Sequence, residues 1–60
     1  MQQAKKEIED LFSVKFNKIN GLTLNRKIEE WEKIVITSIC WNNKVDFSIR
    51  NYSVEIFTRK

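Results

Sequence analysis

At 60 residues, with a net charge of +3, no histidine and one cysteine, the chain is at most one small domain. An intrachain disulfide and a histidine- or cysteine-built metal site are both excluded. A chain this short buries only about 60% of the surface its unfolded form exposes, so its core is marginal and a partner or self-association is a natural supplement. The 42% hydrophobic share is nonetheless too high for a disordered chain.

In chain order, the first element is an amphipathic helix. Ala4, Ile8, Leu11 and Phe12 recur at the spacing of one helical face. It stops near Ser13, leaving Val14, Lys15 and Phe16 as a short strand, or runs on to Ile19 with Gly21 as a left-handed cap. Asn20-Gly21 also suits a hairpin turn, a reading disfavoured because it pairs Ile19 with Leu22 while placing Phe16 on the other face. A second helix, Asn25 to Lys33, is predicted from Leu24, Ile28, Trp31 and Val35. Asn25 serves as its N-cap, and Glu29 and Glu30 fall where the helix dipole favours acids.

Three strands follow: Ile34 to Trp41, Lys44 to Arg50 and Ser53 to Arg59, joined by turns at Asn42-Asn43 and Asn51-Tyr52. This register opposes Ile36 to Ile49, Ser38 to Phe47 and Cys40 to Val45, then Ile49 to Val54 and Phe47 to Ile56. Ile34, Ile36, Cys40, Val45, Phe47, Ile49, Val54 and Ile56 then share one face, and a one-residue slip would destroy the agreement. Phe47 falls at the middle of the central strand. The expected fold is a two-layer α+β domain over residues 1–60, an N-terminal helix or helical pair packed on a three-stranded antiparallel β-meander.

The residues argue against an enzyme. Without histidine the commonest general acid–base is missing, and no Gly-rich phosphate loop or metalloprotease motif is present. No cofactor, metal or small-molecule substrate is expected. Glu29, Glu30 and Glu32 read as a solvated helix face, and Cys40 as a buried inert thiol.

The one constellation is the outer sheet face, where Ile39, Trp41 and Phe57 lie among Lys44, Arg50 and Arg59. In the expected register Trp41, Lys44 and Arg59 form one row, with Ile39, Asp46 and Phe57 beside it. Such a face suits a protein interface, for which Trp and Arg are enriched. It also suits single-stranded nucleic acid, with bases stacked on aromatics and phosphates held by cations. The plainest alternative is cross-strand packing with no partner. The acid-free run of residues 15–27 adds Lys15, Lys18, Arg26 and Lys27 as possible phosphate contacts, or as ordinary solvated surface.

The expected function is a small binding or regulatory protein acting through protein–protein contact, as a homodimer or an inhibitor of a larger partner, with nucleic-acid binding as the alternative. No segment has the length of a membrane helix or the apolar stretch of a secretory signal, so no membrane role is expected. With one unpaired cysteine, a cytoplasmic location is the default. The abundance of Lys, Asn and Ile fits the AT-rich genomes of bacteria and their phages, and a chain starting at Met1 is expected to be a complete small protein.

Overall fold

The computed structural model describes residues 2–58. Its elements are α1 (Gln2–Phe12), β1 (Gly21–Thr23), α2 (Glu30–Asn42), β2 (Val45–Ile49) and β3 (Ser53–Thr58). The fold is two-layer α+β, with two helices and a three-stranded antiparallel sheet in the order β1-β3-β2.

α1 forms on its predicted stripe, with Ala4 and Ile8 fully buried and Leu11 and Phe12 packed at the edge of the core. It ends at the earlier of the two expected points. Ser13 takes a left-handed conformation (φ 57°), and its amide closes the last turn on the Glu9 carbonyl at 2.7 Å. Val14–Phe16 is an irregular connection rather than a strand. The Glu9 carboxylate pins it by accepting the Phe16 amide at 2.8 Å.

The next turn is organised by Asn17, whose Oδ1 accepts the amides of Ile19 (3.0 Å) and Gly21 (2.9 Å). The left-handed residue here is Asn20 (φ 61°), and Gly21 opens β1 with no positive φ. A Cβ on Gly21 would sit 3.4 Å from Asn17 Nδ2, an ordinary contact. Gly21→Ala is therefore expected to leave stability unchanged or raise it by about 0.5 kcal/mol through the unfolded chain. Asn17→Ala strands the part-buried Gly21 amide, while the exposed Ile19 amide can turn to water, and should cost about 1 kcal/mol. Urea unfolding of the two variants checks both; the reverse ranking would mean that Gly21, not Asn17, shapes this turn.

The segment 34–41 is the main correction: it is helix, not strand. Ile36 and Cys40 lie on one side in either reading, because residues four apart share a helical face as well as an alternating strand face. What separates the readings is Ile34, expected inside and found 65% exposed, against Ile39, expected outside and packed on the core. The helix-propensity penalty of β-branched residues is a fraction of a kcal/mol each. Burial of Ile36 and Cys40 outweighs it, and Thr37 satisfies its hydroxyl on the Lys33 carbonyl at 2.8 Å.

α2 also begins later than Asn25. Leu24 and Ile28 are buried as expected, but from an extended connection stitched to the hairpin turn, with Leu24 N donating to Tyr52 O (2.7 Å) and Ile28 N to Asn51 O (2.8 Å). The N-cap is Glu29, whose amide donates to the Glu32 carboxylate at 2.9 Å. At the other end Asn43 caps the helix, its side chain donating to the Ile39 carbonyl (2.8 Å) and to Glu7 of α1 (3.2 Å). Lys44 then turns left-handed (φ 56°) and starts β2.

The hairpin follows the expected register, with Phe47 opposite Ile56, Ile49 opposite Val54 and Asp46 opposite Phe57. The third strand is β1 instead of residues 34–41, and it pairs on the far side of β3 with Leu22 opposite Val54. The sheet is thus not in the sequential order of a meander. β3 is the central strand, while Phe47 is half-buried on an edge strand. The inner sheet face and both helices enclose one core of Ala4, Ile8, Leu22, Ile36, Cys40, Val45, Val54 and Ile56, with Leu24 and Ile28 sealing its end.

Candidate functional site

The expected outer-face constellation is split by the fold. Phe57 does lie on the outer sheet face, 48% exposed and opposite Asp46. Trp41 is on α2 and points away from the sheet, 68% exposed, so the two aromatics occupy opposite sides of the molecule. Ile39 is turned into the core. Lys44 is exposed at the end of α2, and Arg50 reaches Glu55 at 3.5 Å beside the hairpin turn. Arg59 lies outside the described residues.

Apart from Phe57, the described outer sheet face is polar. Ser48, Ser53, Glu55, Thr23 and Asp46 alternate outward from the three strands. This is the ordinary pattern of an antiparallel sheet with one face in water. Of its carboxylates, Glu55 is paired with Arg50.

The basic run is similarly dispersed. Arg26 is withdrawn from it: its guanidinium binds the Glu32 carboxylate through two bonds, 2.9 and 2.6 Å, and lies 5.9 Å over the Phe12 ring. Glu32 is correspondingly not a solvated residue; its side chain is only 2% exposed. The Arg26 hydrogen bond holds the Glu32 carboxyl below the usual carboxylate value, against burial, which pushes the other way. Lys15 borders a shallow depression along α1 together with Lys5, Lys6, Glu9 and Asp10, a mixture of both charges. Lys18 and Lys27 are exposed.

Cys40 is fully buried, and burial pushes its thiol up to about 11, so it is almost wholly unionised at neutral pH and a poor nucleophile. Among the described residues no three acidic or cysteine side chains gather as metal ligands. No described helix is long and apolar enough to cross a membrane.

Of the large apolar side chains exposed among the described residues, Ile19, Tyr52 and Phe57 lie on separate segments, whereas Trp31, Ile34 and Trp41 share α2. The side of α2 facing away from the core carries Trp31 (53% exposed), Ile34 (65%) and Trp41 (68%), with exposed Ser38 completing the row. The opposite side buries Glu32, Ile36 and Cys40. A surface helix of a globular domain has a polar outward face, and a helix apolar on both faces is one covered on both. The signal was in the sequence: Trp31, Ile34, Ser38 and Trp41 are spaced by three, four and three residues, a helical seam.

The chain matches no known family model, no curated protein and no solved structure, so the functional reading rests on its own residues.

Proposed function

We propose that this chain is a small non-enzymatic protein-binding module, acting in the cytoplasm as a regulator or inhibitor, and that its contact surface is the outward face of α2. The observation that carries this reading is the row Trp31, Ile34 and Trp41, all more than half exposed on a helix whose other side is in the core. Two tryptophans and an isoleucine in one row are the composition of an interface anchor. Leaving them in water forgoes roughly 25 cal/mol for each Å² they could bury. Large apolar side chains gathered in one exposed row, rather than scattered singly as Ile19, Tyr52 and Phe57 are, mark a contact site. The unionised Cys40 and the lack of any histidine support a role without chemistry.

The test compares the wild type with Trp31→Glu/Trp41→Glu and with Phe57→Ser as a control on the opposite side. All three should keep the same circular dichroism, since none of these side chains is buried. Chemical cross-linking in extract of the source cell should give adducts with the wild type and Phe57→Ser that the double variant loses. Adducts of the same identity and yield from all three proteins would sink the reading.

A further inference from the structure

We infer that the occupant of the α2 face is a second copy of this chain, packed helix against helix in antiparallel orientation about a two-fold axis. The inference rests on the binding reading above and names its partner.

The row itself supplies the first argument. A two-fold axis at the level of Ile36 sets Trp31 of one copy against Trp41 of the other, and Ile34 against Ser38. Each copy thus offers the partner what it needs: a large Ile34 meets a small Ser38, letting the helices approach, while the tryptophans flank that contact at both ends. A three-four-three row is the knob pattern of a left-handed helix pair. An interface made of the same patch on both copies has to be self-complementary in this way.

Charge is the second argument and favours the antiparallel orientation. The start of α2 carries Glu29 and Glu30, flanked by Lys27 before and Lys33 after, whereas its end carries no acid, only Asn42, Asn43 and the exposed Lys44. Glu30 has only a long contact of 3.5 Å to Lys33. Antiparallel packing brings Lys44 towards the acidic start of the other helix and opposes the two helix dipoles. Parallel packing would place Glu30 beside Glu30 and Lys44 beside Lys44.

Area is the third. A helix of this length spans roughly 20 Å. Covering the row on both copies removes on the order of 1,000 Å² from water, the lower bound for a specific interface. The expected dimer is therefore of moderate affinity, with half-assembly at about 1–100 μM.

Sedimentation equilibrium over a concentration series, joined to directed disulfide cross-linking, tests this. The wild type should pass from one chain mass to two, with its tryptophan emission shifting to the blue, while Trp31→Glu/Trp41→Glu stays at one. For orientation, a copy carrying Ile34→Cys mixed with a copy carrying Ser38→Cys should form a mixed disulfide several-fold faster than either variant links to itself. Preferential self-linking of Ile34→Cys would mean a parallel pair and overturn the proposal. So would a wild type that stays at one chain mass up to about 1 mM. In that event the broader binding reading survives only if α2-dependent adducts with a different protein are found, and falls with the dimer if they are not.

Discussion

Ile56→Ala is expected to leave most of the protein unfolded. Ile56 lies on the central strand β3, 2% exposed, opposite Phe47, and its amide donates to the Asn20 carbonyl at 3.0 Å. Truncation removes the transfer energy of the lost carbons and leaves a cavity that a strand bonded on both sides cannot collapse to fill, a loss of about 2–5 kcal/mol. Domains have only about 5–15 kcal/mol of net stability, and a single core of this size rarely supplies more than about 3–5 kcal/mol, so the loss takes most of it. Trp41→Ala is the comparison. At 68% exposure it should change stability by less than about 1 kcal/mol when measured below the concentration of any self-association. Urea melts followed by circular dichroism decide the ranking. If Trp41→Ala proves the more damaging of the two, α2 is turned about its axis relative to this description.

The second large effect is expected at Glu32. Its carboxylate receives two bonds from Arg26 and the amide of Glu29, so one side chain both caps α2 and anchors the connection that precedes it. Glu32→Ala should cost about 1–2 kcal/mol. That is short of the 3–5 kcal/mol for a fully enclosed pair, because Arg26 is 49% exposed and can return to water.

The same residue gives a pH signature. Its folded-state carboxyl lies below the ordinary value of 4.5, chiefly through the Arg26 bond. The unfolded chain therefore takes up the proton first as the pH falls. This part of the stability is complete above about 4.5 and is lost as the pH drops through the lowered folded value. Glu32→Gln should be less stable than wild type at neutral pH and lose less on acidification below 4.5. Parallel acid limbs for the two proteins would show that the Arg26 pair contributes nothing.

The parts of this fold legible in the sequence are those where one period fits and no other does. Ala4, Ile8, Leu11 and Phe12 fit only a helix, and the alternation of Val45, Phe47 and Ile49 against Val54 and Ile56 fits only a hairpin. Both were found as read, register included. Residues 34–41 satisfied two periods at once through Ile36 and Cys40, and their β-branched character tipped the reading towards strand. The decisive residue lay upstream: Glu29 followed three residues later by Glu32 is the spacing of a capping box, which places the helix start just before the disputed run. β1 was hidden for a different reason. Three residues carry no usable period, and the strand exists only because Leu22 finds Val54 across the sheet. The candidate site follows from the same ambiguity: both periods set Trp41 outward, but the strand period gives it Lys44 and Phe57 as neighbours and the helical period gives it Ile34 and Trp31.

The placement of β1 has a kinetic consequence. The β2–β3 hairpin closes through a two-residue turn, and α2 stands next to it in the chain, so these contacts are local. Joining β1 to β3 instead closes a loop of roughly 30 residues, whose entropy must be lost before any contact across that seam is gained. Nucleation is thus expected at the hairpin and α2, with β1 arriving last and leaving first. Hydrogen exchange would register this at the amides of Leu24 and Ile56, whose acceptors, Tyr52 and Asn20, lie across the late seam. They should lose protection before the amides that bond β2 to β3. A helix–hairpin unit that outlives its third strand would keep the tryptophan row of α2 on display even while the far edge of the sheet is open.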